Sequence, residues 1–240
     1  MIAFIPARSG SKRVKNKNII KIGGHPLIAY TVRYAKKVKS FDKVFCITDS
    51  KKYLNLAKKY GADDFILRPK NISGEKSSDI DWIKWAINIC KKKNIKLNNF
   101  TILRPTNPFR SKNFIERGIK AFKNKSIDSV RGIEKTKIHP GKIWKLKNNI
   151  ITPILTKYLK GTPWHSCQYA ALPTYYSQNA SLEICRVSVV KKYGQFSGKK
   201  IFGLVSKGYD GFDINYMSDI IEAKEIIRKN KQIKKFLNLK

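Results

Sequence analysis

Several kinds of residue and segment are scarce in this 240-residue sequence, and each scarcity excludes a class of protein. Of the four cysteines, no two form a C-x-x-C pair, which excludes zinc ribbons and thioredoxin-like redox motifs. The three histidines show no metal-ligand spacing. No apolar run approaches the roughly 20 residues of a membrane-spanning helix, and the first residues lack the basic leader of a signal peptide. We therefore expect a soluble, cytoplasmic protein without a membrane partner.

Acidic residues are also few, since 16 Asp plus Glu stand against 51 Lys plus Arg, a formal net charge of +35. Such a charge is compatible with nucleic-acid binding, which depends on phosphate neutralisation. The lysines, however, are spread along the whole chain in pairs such as Lys36-Lys37 and Lys58-Lys59. We interpret most of the charge as compositional background rather than as a nucleic-acid surface. We expect it to attract anionic small molecules.

Short apolar runs alternate with helical patterns through the first 130 residues. Strands are predicted over Ile2–Pro6, Lys43–Asp49, Phe65–Leu67 and Phe100–Leu103. Helices are predicted over Pro26–Val38, Ser50–Tyr60, a segment starting near Ser78, and Ser111–Lys123. Such repeats predict an α/β domain whose mostly parallel sheet has helices on both faces. The length is consistent with one domain over residues 1–240.

The pattern changes after about residue 133, where predicted strands follow one another without helices. These strands are Lys142–Leu146, Ile150–Leu155 and Ala180–Val190. They predict an inserted β-rich lobe over roughly 134–190. The strand–helix pattern returns with Ile201–Val205, Gly208–Asn215 and a helix from Ser218 to about Lys229. We expect the basic end, Lys229–Lys240, to form a surface helix.

The loop after the first predicted strand combines small and basic residues. The small residues would let backbone N–H groups approach an anion, and the basic ones would contact phosphate oxygens. They are Ala7, Ser9, Gly10 and Ser11, and Arg8, Lys12 and Lys17. The loop is neither a Walker A sequence nor G-x-G-x-x-G. The alternative is a solvated basic loop, but the position directly after a buried strand favours phosphate binding.

Motifs along nearly the whole chain occur together in one order. They are Ile5–Asn18, Thr48-Asp49-Ser50, Arg68-Pro69 with Ser77-Ser78, Arg104–Arg110 (RPTNPFR), Leu172–Asn179 and Phe212–Asn215. This set resembles the acylneuraminate cytidylyltransferases, which are CMP-sialic acid or CMP-nonulosonate synthetases. The resemblance implies a Rossmann-like fold whose inserted lobe mediates dimerisation, and a homodimer in which that lobe reaches towards the partner's active site.

The resemblance also implies a reaction. The anomeric 2-hydroxyl of a nine-carbon 2-keto sugar acid would attack the α-phosphate of CTP, giving a CMP-sugar and pyrophosphate with Mg²⁺ as the divalent cation. Legionaminic, pseudaminic and related nonulosonic acids compete with N-acetylneuraminic acid as the acceptor. The alternatives are a nucleotidyltransferase of the same fold that uses another sugar acid, such as an eight-carbon one, and a basic nucleic-acid-binding protein.

The same resemblance implies roles for individual residues. Arg8, Lys12 and Lys17 would contact the triphosphate as catalytic groups. The base, ribose and remaining phosphate contacts would come from Ala7, Ser9, Gly10, Ser11, Asn18, Arg68 and Ser78. The sugar contacts would come from Arg104, Thr106, Lys142, Gln168 and Asn179. For Arg104, a fixed guanidinium suits the sugar carboxylate, and the alternative is a salt bridge to a nearby acid.

The metal site implied by the resemblance consists of Asp213 and Asn215. We expect Asp213 to lie at the end of a strand, just before a helix, where its carboxylate would share Mg²⁺ with phosphate oxygens and water. The alternative for Asp213 is a helix cap. Asn215 replaces the second carboxylate of the family's pair. Its amide oxygen can ligate a metal ion but adds no negative charge.

Overall fold

The computed structural model of the protein describes residues 1–233. Its strands are β1 (Ile2–Pro6), β2 (Lys21–Ile22), β3 (His25–Pro26), β4 (Lys43–Thr48), β5 (Asp64–Leu67), β6 (Asn99–Ile102), β7 (Ser129–Lys135), β8 (Trp144–Lys147), β9 (Ile150–Pro153), β10 (Tyr158–Leu159), β11 (Thr162–Pro163), β12 (Tyr176–Arg186) and β13 (Ile201–Val205). Its α-helices are α1 (Leu27–Lys36), α2 (Lys51–Lys59), α3 (Asp79–Lys92), α4 (Lys112–Phe122), α5 (Val187–Tyr193) and α6 (Met217–Lys229).

Seven strands form the central sheet, in the order β13-β7-β12-β6-β1-β4-β5. The pairs β1–β4, β1–β6, β4–β5 and β7–β13 are parallel, whereas β12 runs antiparallel to both β6 and β7. The chain therefore leaves β1 towards β4 and leaves β6 towards β7, on opposite sides of the β1–β6 pair. This topology confirms the predicted fold class, a mostly parallel sheet covered by helices.

Alternating side chains of the strands divide the core into two layers. Ala3 and Ile5 of β1 belong to a buried cluster with residues of α1, α2 and α4. Phe4 of β1 packs with Phe45 and Phe100 in a second cluster, which α3 and α5 cover. Strands that are apolar on both faces need helices on both faces, and this explains the continuous apolar runs.

The predicted helices of the first half are confirmed, and two of them begin at serine caps. The Ser50 hydroxyl accepts a hydrogen bond from the Tyr53 backbone N–H at 3.5 Å. The Ser111 hydroxyl accepts one from the Phe114 N–H at 3.1 Å. Each serine satisfies a backbone donor that would otherwise have no partner in the first helical turn. Helices α2 and α4 consequently start one residue after these serines.

The predicted β-rich lobe contains both an insert and a part of the sheet. Residues 136–175 lie outside the central sheet and contain the antiparallel pairs β8–β9 and β10–β11. The predicted range of 134–190 also includes β12, which lies at the centre of the sheet between β7 and β6. The predicted strand over Ala180–Val190 is wrong beyond Arg186. There the valines turn into α5 and pack on the α3 layer.

The segment Gly208–Asn215 forms a loop between β13 and α6, so the expectation that Asp213 ends a strand is wrong. Its backbone bonds to the loop after β6 instead of to a strand: the Ile214 N–H donates to the Thr106 carbonyl at 2.8 Å. The predicted helix over Lys229–Lys240 lies mostly outside the described residues. Within residues 1–233, no helix combines the length and apolar character needed to cross a bilayer.

We predict that Gly118→Val lowers the free energy of unfolding by about 2–3 kcal/mol, because overpacking a close contact forces side chains and backbone apart. Gly118 lies on α4 where a Cβ would collide with a methyl of Leu182 on β12. Urea unfolding followed by circular dichroism measures the change. Lys120→Val is the matched control, since Lys120 is exposed on the same helix. Equal losses in both variants would contradict the contact argument.

Candidate functional site

A cleft of about 350 Å³ opens at the carboxyl ends of β1 and β6. These are the strands whose following connections diverge, and such a switch point leaves a crevice in open α/β sheets. The cleft brings together many of the predicted site residues. Its walls are Pro6, Arg8, Ser11, Arg13, Lys17, Asn18, Arg68, Gly74, Glu75, Ser77, Asp79, Trp82, Arg104, Pro105, Thr106 and Asn215.

Two side-chain contacts shape the loop after β1. The backbone N–H and the hydroxyl of Ser9 donate to the two carboxylate oxygens of Asp49, each at 2.8 Å. The Asn18 amide donates to the Arg8 carbonyl at 2.9 Å. Asp49 and Asn18 therefore close the loop from both sides. With its backbone fixed in this way, the loop presents Arg8 and Ser11 to the cleft.

Lys17 joins this loop to the segment that carries Asp213. Its ammonium is buried and donates to the backbone carbonyls of Ile214 at 2.7 Å and Asn215 at 3.3 Å. Burial lowers the pKa of Lys17 from its ordinary value, while the nearby Asp213 carboxylate opposes that shift. Lys17 still lines the cleft, so its charge faces any anion bound there.

Three arginines of the cleft have buried N–H donors without a partner among the described residues. The atoms are Arg8 Nη1, Arg68 Nε and Arg104 Nε. Buried donors without partners are costly and rare, and these N–H groups are available to a ligand that accepts hydrogen bonds. Arg68 also lies over the Trp82 ring, 5.1 Å from its centre. Burial lowers the pKa of Arg68 to about 10, with Asp79 and Asp49 opposing the shift, so this guanidinium stays charged at neutral pH.

Arg104 takes part in a buried ionic network, which was the alternative interpretation of this residue. Its Nη2 donates to Asp79 at 2.7 Å and to Glu183 at 2.9 Å. Glu183, which is 2% exposed, also pairs with Arg131. Burial opposes the charge of Arg104, but Glu183 and Asp79 outweigh it and raise the pKa of this guanidinium. Arg104 therefore lines the cleft with its charge already balanced by two carboxylates.

Some predicted nucleotide contacts lie beside the cleft rather than in its wall. Ala7 is fully buried in the core, and Gly10 is exposed. Lys12 is not in the wall itself but pairs at 2.6 Å with Glu75, which is. Ser78 is exposed at the start of α3, and its side chain makes no capping hydrogen bond. The structure thus distinguishes Arg8, Ser11, Lys17, Asn18 and Arg68, which line the cleft, from these neighbours.

A second cleft, of about 620 Å³, adjoins the first at Asn215. Its walls include Glu134, Lys137, Gln178, Asn179, Ala180, Gly208, Tyr209, Gly211, Phe212, Asp213, Asn215, Asp219 and Glu222. The Asn215 amide donates to Asp213 Oδ2 at 2.6 Å. Asp213 Oδ1 is buried and has no partner among the described residues. The carboxylate therefore lines the second cleft beside Asn215, the residue that the two clefts share, and has one oxygen unused.

The residues around Asp213 fit a magnesium ion whose other ligands are mainly phosphate oxygens and water. A buried carboxylate oxygen without a partner is a suitable ligand, and Mg²⁺ needs only one or two carboxylates when phosphates and water complete the shell. Within residues 1–233 no group of three or more His, Cys, Asp and Glu side chains could hold a metal ion. Asp213 does not cap α6, since Asp219 accepts from the N–H groups of Asn215 and Tyr216.

Asn179 lines the second cleft, but its side chain is used inside the protein. Its Nδ2 donates to the Ser206 hydroxyl at 2.9 Å and its Oδ1 accepts from the Ser181 hydroxyl at 2.7 Å. The following residue, Ala180, has a left-handed backbone with φ of 54°. That conformation costs an L-residue about 1–2 kcal/mol. Asn179 thus stabilises a strained turn in β12 and has little amide capacity left for a ligand.

Lys142 and Gln168 lie in the insert and contribute to neither cleft of their own chain. The Lys142 ammonium donates to the carbonyls of His165 at 3.0 Å and Cys167 at 2.8 Å. Gln168 is exposed. The structure of one chain therefore separates these two predicted sugar contacts from Thr106 and Arg104, which do line the first cleft.

Sequence reasoning missed the acidic partners of the arginines. Asp79 and Glu183 hold Arg104, and Trp82 donates its indole N–H to Asp79 at 2.8 Å. One signal was available in the sequence. A glutamate inside the apolar run Ser181–Cys185 has to be paired if that run is a buried strand, because an isolated buried charge is very costly.

The comparisons with known proteins agree with the site that the geometry indicates. A family model described as Cytidylyltransferase matches residues 2–238. The chain is 41% identical over 122 residues to an N-acylneuraminate cytidylyltransferase of Escherichia coli O18:K1:H7, a match that covers 51% of this chain and 28% of that protein. It is 35% identical over 121 residues to a pseudaminic acid cytidylyltransferase of Campylobacter jejuni, with 50% of this chain and 52% of that protein covered.

These matches span between about a quarter and a half of the relatives' own lengths. A solved structure covers more of the chain. CMP:2-keto-3-deoxy-manno-octonic acid synthetase complexed with CTP aligns with a TM-score of 0.67, over 95% of this chain and 98% of that one, at 14% sequence identity. Similarity at this identity establishes the fold alone, which is Rossmann-like.

We predict that Glu183→Gln lowers the free energy of unfolding by about 3–5 kcal/mol, because it leaves two guanidinium groups without their shared buried carboxylate. Arg104 and Arg131 both pair with Glu183. Chemical denaturation at neutral pH measures the loss. Glu116→Gln, which removes the exposed Lys112 pair on α4, is the control and should change stability by no more than ~0.5 kcal/mol. A small effect at position 183 would show that the network contributes little.

Proposed function

The chain belongs to the cytidylyltransferase family, and from this premise we propose that it transfers CMP from CTP to a nine-carbon 2-keto sugar acid. The anomeric 2-hydroxyl of the acid attacks the α-phosphate in line with the leaving pyrophosphate. The products are a CMP-nonulosonate and pyrophosphate. The relatives whose names refer to N-acylneuraminate and pseudaminic acid support this class of acceptor. The choice among sialic, legionaminic and pseudaminic types stays open.

One observation carries the proposal. Arginine N–H groups without partners line one cleft, and a carboxylate oxygen without a partner belongs to the adjoining cleft, next to the shared residue Asn215. The arginine N–H groups suit the phosphates of a nucleotide, and the carboxylate oxygen suits a cation bound to those phosphates. An acceptor in the second cleft would then lie directly beside the α-phosphate.

The residues of the first cleft perform the chemistry mainly by neutralising and positioning charge, as phosphoryl transfer requires. Arg8 and Lys17 approach the triphosphate from the loop after β1, and Lys12 joins them if it leaves Glu75. Arg68 and Asn18 orient the nucleoside end. Lys17 also donates to the Ile214 carbonyl. The ammonium that would contact phosphate is therefore hydrogen-bonded to the segment of Asp213.

Asp213 is the residue that would hold the divalent cation, with Asn215 as its neighbour. When bound, Mg²⁺ would neutralise charge on the oxygens of the α-phosphate, whose phosphorus the sugar hydroxyl attacks. The Asn215 amide now points its nitrogen towards Asp213. Rotation of this amide would present its oxygen instead, since the two ends of an amide have nearly the same shape. Of these two residues, only Asp213 thus carries a full negative charge.

We predict that the unmodified protein, given CTP and Mg²⁺, forms a CMP-sugar and pyrophosphate with at least one nonulosonic acid. Asp213→Ala should lower kcat at least ~100-fold, because it removes the one carboxylate placed against the phosphates. Pyrophosphate release measures turnover, and calorimetry measures CTP binding in the absence of metal. Glu225→Ala, an exposed acid on α6, is the matched control and should retain activity.

The reaction panel should contain N-acetylneuraminic, legionaminic, pseudaminic and an eight-carbon acid. Turnover with the eight-carbon acid alone would favour the related sugar-acid activity. No turnover with any acid, together with tight and salt-sensitive RNA binding, would overturn the proposal in favour of a nucleic-acid function. Full turnover of Asp213→Ala would remove Asp213 from the site.

We also propose that the protein acts as a homodimer through its insert. The β8–β9 hairpin exposes large apolar side chains on both strands: Leu146 is 70% exposed, and Ile151, its cross-strand partner on the same face, is 53% exposed. An apolar hairpin of this kind marks a protein interface. It would also explain why Lys142 and Gln168 lie away from the clefts of their own chain, because they could serve those of the partner.

We predict that Leu146→Ser shifts the protein towards the monomer and lowers kcat/KM for the sugar acid, since it removes apolar area from the hairpin surface. Light scattering measures the mass in solution. Lys145→Ser, on the opposite side of the same strand, is the control and should stay dimeric. A fully active monomer of the unmodified chain would contradict the dimer.

A further inference from the structure

Asn107 lies beneath the point where two functional loops meet. It is completely buried in the loop after β6. Its Nδ2 donates to the Phe212 carbonyl at 3.1 Å and to the Asn179 carbonyl at 3.4 Å. We propose that Asn107 is a positioning residue that fixes the acceptor side of the second cleft relative to Asp213. This inference rests on the proposed function.

The first of its two partners is the irregular part of β12. The pairing register of β12 with β7 shifts between Gln178 and Glu183, and Ala180 within this bulge has a φ of 54°. An alanine remains in the left-handed region only where surrounding contacts over-determine it. One such contact is the hydrogen bond from Asn107 to the carbonyl that directly precedes Ala180.

The second partner is the loop of Asp213. Asn107 holds the carbonyl of Phe212, and the Thr106 carbonyl accepts from the Ile214 N–H at 2.8 Å. The residues on either side of Asp213 are therefore both attached to the loop after β6. Asp213 and Phe212 line the second cleft, whereas Ile214 is fully buried in the core.

The bulge and the Asp213 loop also press directly against each other. A Cβ at Gly211 would collide with Asn179 Nδ2 and would lie 2.7 Å from Glu134 Oε2. The loop consequently passes over the bulge with no spare room. Because Asn107 holds the backbone of both from below, a shift of either one changes the distance between the acceptor wall and Asp213.

The amide of Asn107 is suited to this role because it supplies two donors from one rigid group. The hydroxyl of Thr106 lies 3.5 Å from Asn107 Oδ1, on the side away from the two carbonyls. A serine at position 107 is shorter and has a single donor, so it cannot serve both carbonyls. Reacting groups must be held within a few tenths of an ångström for efficient transfer, and a released bulge would lose that alignment.

The test compares Asn107→Ser in two backgrounds, the unmodified chain and the Ala180→Gly variant. In the unmodified chain we expect kcat to fall ~10–100-fold while the KM for CTP changes less than ~3-fold, since a misplacement of about 1 Å costs this much. Glycine adopts a positive φ without a steric cost, so the Ala180→Gly background should recover at least ~5-fold of the lost kcat. An equal loss in both backgrounds, no loss in either, or a large rise in the KM for CTP would overturn the proposal.

Thermal unfolding of the same four proteins gives a readout that needs no turnover. The shifts caused by Asn107→Ser and Ala180→Gly should deviate from additivity by ~2–4 °C, because the released bulge relaxes only when position 180 is alanine. Additive shifts would overturn the positioning role. Asn113→Ser, at an exposed position on α4, controls for loss of an asparagine.

Two further outcomes are informative. If the unmodified protein transfers CMP to no acid, the proposed function fails, while non-additive midpoints still support the tether. If Asn107→Ser does not fold, Ala180→Val tests the bulge with Asn107 intact. A β-branched residue disfavours positive φ, so kcat should fall ~10-fold or more at an unchanged KM for CTP, and an unchanged kcat would overturn the proposal.

Discussion

The divergence of the chain at β1 and β6 is the constraint on which the site depends. Both strands end at the same edge of the sheet, yet β1 leads to β4 and β6 leads to β7 on opposite sides. The two following loops therefore separate and leave a crevice between them. Arg8 and Lys17 line this crevice from the segment after β1, and Arg104 and Thr106 line it from the loop after β6. Lys17 and Asn107 then tie both loops to the segment of Asp213.

Much of the fold and part of the site could be predicted because they depend on local patterns. Apolar runs identify β1 and β13 to the residue, and Ser50 and Ser111 mark helix starts through their own hydrogen bonds. The range of the insert was harder to predict. Strand β12 resembles an insert strand in sequence, and only long-range pairing places it between β7 and β6. The valines after Arg186 favour a strand by propensity, but packing against α3 makes them helical.

The partners of the site residues could not be predicted for the same reason. Whether Arg104 is available to a ligand depends on Asp79 and Glu183, which are distant in sequence and meet only in the folded sheet. The same holds for Asn179, whose side-chain amide is hydrogen-bonded to the hydroxyls of Ser181 and Ser206. Motifs identify which residue types stand at the site. The tertiary hydrogen bonds decide which atoms of those residues remain available.

The position of the insert has a consequence for how such an enzyme can diversify. Residues 136–175 leave the sheet at the end of β7 and return at the start of β12, and these two strands are hydrogen-bonded neighbours. The ends of the insert are thus held side by side by the sheet itself, and the entropy of closing such a loop grows only slowly with its length. Lengthening, shortening or replacing this segment leaves the first cleft, at the β1–β6 edge, in place. The segment that carries the apolar hairpin and Lys142 can therefore vary over evolution without altering the cleft that holds Arg8, Lys17 and Arg68.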